Sequence, residues 1–127
     1  MLDIKTYVYG KLTGSSSLIA AVGSTDHIFF GWPQTFETLP TISFREEDQS
    51  GLAYFDDSID EYRSTIIVDL FTSSSVSTTT IANLIDNVMT NIFFALEFSS
   101  DVLESDSRLN HRSIRYSRAF LSTAELI

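Results

Sequence analysis

The sequence predicts an α+β fold, a mainly antiparallel β-sheet with helices packed on one face. Apolar residues recur at helical spacing near the N-terminus and again from Ile81 to Phe93, and runs rich in β-branched residues alternate between and after those stretches. No internal repeat or linker-like stretch divides the 127 residues. A chain of this length buries roughly two-thirds of the surface it exposes when unfolded, enough for one core, so residues 1–127 read as one domain.

Ile4, Tyr7, Val8 and Leu12 keep near-helical steps, and Asp3 stands where an N-cap belongs. Gly14 and Ser15-Ser16-Ser17 end this helix, and the serines suit the start of a second, short one from Leu18 to Val22 that Gly23 closes. His27-Ile28-Phe29-Phe30 forms a brief strand leading into the irregular Gly31-Trp32-Pro33. From Thr41 to Glu47 the pattern alternates, with Ile42 and Phe44 on one face and Thr41, Ser43 and Arg45 on the other. Residues Asp48 to Asp60 are acidic, contain Gly51 and read as a mobile loop.

Glu61 to Thr72 is the clearest strand, with Tyr62, Ile66, Val68 and Leu70 opposing Arg63, Thr65, Ile67, Asp69 and Phe71. Ile81, Leu84, Ile85, Val88, Met89, Ile92 and Phe93 then mark a helix over 78–94 whose stripe is assigned to the core, with Ser77 or Thr78 as its cap. A second polar loop after Phe98 runs through Ser107. The closing strand, about Leu109 to Leu121, sets Ile114, Tyr116 and Phe120 against His111, Ser113, Arg115 and Ser117. The expected order is α, α, β, β, β, α, β. The Glu61 strand is ~40 Å long at ~3.3 Å per residue and the helix only ~25 Å, so the sheet is expected to overhang its cover and leave Ile67 and Phe71 for a partner.

A net charge of −9 disfavours a DNA-binding accessory, because duplex binding rests on neutralising phosphates with Lys and Arg. The charges are also segregated. Glu46, Glu47, Asp48, Asp56, Asp57, Asp60 and Glu61 crowd one segment, while four of the eight basic residues fall between Arg108 and Arg118. Without cysteine there is no disulfide, thiolate metal site or thiol nucleophile. The N-terminus lacks a basic region followed by an apolar run, and no stretch reaches the ~20 apolar residues of a membrane span, so a cytoplasmic origin without membrane insertion is expected.

His27 and His111 stand in no nucleophile motif, and Asp56, Asp57 and Asp60 lack the spacing of a calcium loop. No catalytic residue, metal or cofactor is therefore assigned. The acidic segment reads either as a solvated loop or as a surface facing a DNA channel or partner, where negative charge lets a phosphate backbone slide without adhering. Arg112 and Arg118 share one face of the last strand and Arg115 takes the other, and these arginines are expected to pair with a neighbouring subunit's acids. Phe30 and Trp32 are either interface anchors or plugs at the end of the core.

Taken in order, the N-terminal helix pair, Ile28 to Pro33 with its Gly-Trp-Pro, Leu39-Pro40-Thr41-Ile42-Ser43-Phe44, the Ile66-Ile67-Val68-Asp69-Leu70-Phe71 strand and the Ile81 to Leu96 helix resemble the tail completion, or head-to-tail joining, proteins of long-tailed bacteriophages and prophages. The resemblance covers nearly the whole chain. It implies a non-enzymatic virion protein of the head–tail junction, a homo-oligomer that is hexameric in the particle and sometimes monomeric when isolated. Its implied partners are a head connector or stopper protein and a tail-tube protein, with genome DNA passing through the ring without sequence-specific binding. The related tail terminators share the architecture and stand as the alternative, and a small acidic cytoplasmic enzyme with a scattered site is the alternative from another class.

Overall fold

In the computed structural model, residues 2–31, 39–55, 58–73, 78–104, 109–121, 123 and 126 are described. Helix α1 (Ile4–Thr13) starts where Asp3 accepts the Thr6 N–H at 3.2 Å, and it buries Ile4, Val8 and Leu12, one residue per turn. The Ser15 hydroxyl caps α2 (Ser16–Val22) by accepting the Leu18 N–H at 3.3 Å, and Gly23 closes it at φ 104°, a left-handed value that glycine adopts without a steric cost. A short 3-10 turn, Thr25–His27, leads into β1 (Ile28–Phe30).

The sheet has five strands, adding β2 (Thr41–Phe55), β3 (Ser58–Ser73), β4 (Ala95–Glu104) and β5 (Leu109–Leu121) in the spatial order β1-β2-β3-β5-β4. All neighbouring pairs are antiparallel except β1 with β2. Between β3 and β4 lies α3 (Thr78–Asn91). One core joins the helical residues Ile4, Val8, Leu12, Leu18, Val22, Ile81, Ile85 and Met89 to Ile42, Phe44, Ile66, Val68, Leu70, Ile114, Tyr116 and Phe120 of the sheet. The expected α+β class, with helices on one sheet face, is therefore what the chain forms.

Three expectations are corrected. Residues 48–55 and 58–60, expected in a loop, are strand, because β2 and β3 pair out to Phe55↔Ser58 as one long hairpin. Register shifts at Glu46/Asp48, Gly51/Ala53 and Ala53/Tyr54 interrupt the pairing, and each inserted residue flips the parity of the side chains. A paired strand broken three times shows no period of two, and so it resembled a loop.

The helix expected to run to Phe94 ends at Asn91, and residues assigned to a polar loop form β4 instead. A Schellman turn stops the helix: the Phe94 N–H donates to Met89 C=O at 3.0 Å and the Phe93 N–H to Thr90 C=O at 3.0 Å. Buried Phe94 and Met89 supply the apolar contact that accompanies this turn. Phe93 occupies the left-handed position at φ 66°, where glycine is the usual residue, and its side chain is 77% exposed instead of joining the core stripe.

Phe71 is the third correction. It is 1% exposed and its ring lies on His111 with centroids 4.2 Å apart, so it offers no free surface. The length mismatch expected of sheet and helix holds: β3 has 16 residues, about 50 Å of strand, against 14 residues and about 21 Å for α3.

Candidate functional site

On the sheet face turned away from the helices, the register aligns Arg63, Thr65, Ile67, Asp69 and Phe71 of β3 with Ala119, Ser117, Arg115, Ser113 and His111 of β5. Glu97, at a register shift in β4, accepts from Arg63 Nη2 at 2.7 Å and from Arg115 Nε at 2.6 Å. Arg115 Nη1 reaches Glu47 of β2 at 2.8 Å. One ion-pair network thus ties together β2, β3, β5 and β4. The Ser117 hydroxyl, followed by Arg115 and Arg63, holds the Glu97 carboxyl below the usual glutamate range.

Deeper on the same face, Asp69 accepts from Arg45 Nη1 at 2.8 Å and from His111 Nε2 at 2.8 Å. The Asp69 and His111 side chains are only 4% and 8% exposed. A buried carboxylate must have its lone pairs occupied, and these two donors do that. The pair unites residues 42 positions apart, which no local motif reveals. His27 is also structural, its Nδ1 donating to the Pro40 carbonyl at 3.0 Å.

The acidic residues singled out from the sequence divide by position. Glu46 accepts from the Ser64 hydroxyl at 2.8 Å and Gln49 Nε2 at 3.2 Å, while Glu47 is engaged with Arg115. Asp48 and Asp60 are exposed and Glu61 is half-buried on the hairpin, beside the exposed Leu52 and Tyr54. Asp56, Asp57 and Trp32 lie outside the described residues.

Among the interface candidates, Phe30 is 43% exposed on the edge strand, packing edge-on against Phe44 at 5.4 Å with Lys5 Nζ 4.2 Å from its ring. Ile67 is half-buried, opposite Arg115 and Arg45. Arg112, on the helical face, donates to Asp101 through Nε at 3.0 Å and Nη2 at 3.3 Å. That pairing, more than the Thr78 hydroxyl, holds Asp101 below the usual aspartate range. Arg118 also faces the helices, donating to the Ile92 carbonyl at 2.7 Å, so the expected division of Arg112 and Arg118 from Arg115 is the one observed. Arg112 and Arg115 meet acids of their own chain.

Sequence reasoning missed a groove of about 770 Å³ between α1 and the end of α3, lined in part by Tyr7, Lys11, Val88, Asn91, Phe93 and Arg118. The Lys11 ammonium lies 5.7 Å from the Tyr7 ring, and the Arg118 guanidinium lies 4.0 Å from Phe120 and 5.4 Å from Phe93. Neither cation meets a carboxylate among the described residues. The clue in the sequence was Phe93, an aromatic just beyond the last polar turn of a helix with no glycine to end it.

Tyr116 spans the core, donating to Asp86 at 3.0 Å, and its phenol pKa is raised by burial and then by the Asp86 charge. Among the described residues no group of three or more His, Cys, Asp or Glu could hold a metal ion, and no helix is long and apolar enough to cross a membrane.

No family model and no curated protein sequence matches the chain. Its fold is similar to that of a chain in the virion of a native gene transfer agent particle, with a TM-score of 0.70 and 93% of each chain covered. The two are 11% identical, so the likeness is one of fold.

Proposed function

We propose that this chain is a structural protein of a phage or prophage-like particle, built into the head–tail junction as a ring that joins the head connector to the tail tube and lets DNA pass. The observation that carries the proposal is the fold shared over 93% of the chain with a virion component. The succession of motifs from the helix pair through Leu39-Pro40-Thr41-Ile42 to Val68-Asp69-Leu70-Phe71 supports the same reading independently. The chemistry agrees with it. Among the described residues Asp69 and His111 are engaged in a buried pair, and the groove is lined by Lys11, Arg118, two aromatics, Val88, Ile92, Asn91 and small residues.

A ring of this kind needs neighbours on both sides. The exposed edge at Phe30 and the acidic hairpin are the surfaces offered to them. Disrupting the gene in cells that make the particle tests the proposal. Filled heads and finished tails that fail to join are expected; infectious joined particles would overturn it. Tails of uncontrolled length in the same experiment would assign the chain to the tail terminators, which cap the tube, instead of to the completion proteins.

A further inference from the structure

The cations among the described residues fall into two groups. Arg45, Arg63, Arg112 and Arg115 each meet a carboxylate, at 2.8, 2.7, 3.0 and 2.6 Å. Lys5, Lys11 and Arg118 instead lie against aromatic rings, Arg118 also donating to the Ile92 carbonyl at 2.7 Å, and of these Lys11 and Arg118 line one groove, in a chain with seventeen acids and eight bases. In so acidic a molecule a pair of cations without carboxylates is a place where a carboxylate is expected to arrive from outside.

Phe93 points to the same groove by a different argument. Its left-handed backbone favours glycine, and its ring is 77% exposed, so neither local conformation nor burial within the chain accounts for a phenylalanine there. An exposed aromatic beside two cations matches a ligand that is both acidic and apolar.

We infer that this groove receives the distal end of the β2–β3 hairpin of a second copy of the chain, an inference that rests on the ring reading above. That end carries the exposed acid Asp60, the half-buried Glu61 and the exposed apolar Leu52 and Tyr54, the complement of Lys11, Arg118 and Phe93. Groove and hairpin are different surfaces of one chain, so the contact is heterologous. Repetition of a heterologous contact closes a ring when the rotation permits.

Because the chain has no cysteine, the contact can be tested by placing two. The full chain carrying Asn91→Cys in the groove and Ser58→Cys on the hairpin, which keeps Lys11, Arg118, Asp60 and Phe93 in place, is expected to give a ladder of multimers when treated with a short bismaleimide. Mixed single-cysteine chains are expected to stop at the dimer, and high salt to thin the ladder. Phe93→Gly supplies the second arm. Glycine fits the left-handed turn, so the variant should melt at or above the parent temperature while its self-association weakens about tenfold or more.

A self-associated chain with no ladder above the single-cysteine controls would overturn this contact and leave the ring reading standing. A chain that stays monomeric and uncrosslinked at every concentration would overturn both. Binding of DNA that is lost on Lys11→Glu would assign the groove to phosphates instead and overturn the self-contact.

Discussion

The two faces of the sheet differ in how far positive charge is paired with acids. On the far face Arg45, Arg63 and Arg115 are held by Asp69, Glu97 and Glu47, so charge there fastens strand to strand. On the helical side Arg112 is also paired, with Asp101, but Lys5, Lys11 and Arg118 lie over aromatic rings, at 4.2, 5.7 and 4.0 Å. Aromatic support positions a cation without neutralising it. On the proposed ring reading the difference separates charge that stabilises the fold from charge left for a partner, and stability measurements can break or sharpen that separation.

The largest effect is expected at Asp69. Asp69→Ala strips a buried acceptor from His111 and Arg45 and should cost about 3 kcal/mol in urea denaturation. Tyr116→Phe removes the hydroxyl that Asp86 accepts and should cost about 1 kcal/mol by the same assay.

Phe93→Gly should move the other way, gaining up to about 1 kcal/mol by relieving the left-handed turn, read as a rise in melting temperature. Lys11→Ala, in the helical layer, should stay within about 0.5 kcal/mol of the parent. A loss at Lys11 as large as that at Asp69 would erase the distinction between the two regions.

Glu97 is expected to contribute less than Asp69, under about 1 kcal/mol, because its partners are partly solvated. The sign of its pH dependence follows from its lowered pKa. The contribution is fully present above the usual glutamate value of about 4.3 and is lost as the pH falls through the lower folded value. Glu97→Gln should therefore differ from the parent at pH 7 and converge with it as the pH falls through the lowered folded value, in paired thermal melts.

How much of this was legible depended on whether alternation survived. The β3 core face of Ile66, Val68 and Leu70 and the α1 stripe of Ile4, Val8 and Leu12 were readable because each pairs an unbroken period with full burial. The distal half of β2 was not, since its register shifts scramble the alternation and its acids look like loop composition. Strand β4 was hidden for another reason. It lies at the sheet edge, and its Ser99, Ser100 and Asp101 carry no apolar period.

The division of Arg112 and Arg118 from Arg115 followed from strand parity alone, whereas the acids that meet Arg112 and Arg115 depended on tertiary register. The Asp69–His111 pair and the groove arise from contacts distant in sequence, beyond the reach of a local pattern. Phe71 was misassigned because alternation sorts residues between faces but does not say whether a face is covered.

Electron cryo-microscopy of the particles made by cells carrying this gene tests the central claim most directly. The account predicts a ring of copies at the junction of head and tail into which this fold fits, with each copy touching its neighbour. Particles whose junction contains no density of this fold would contradict it.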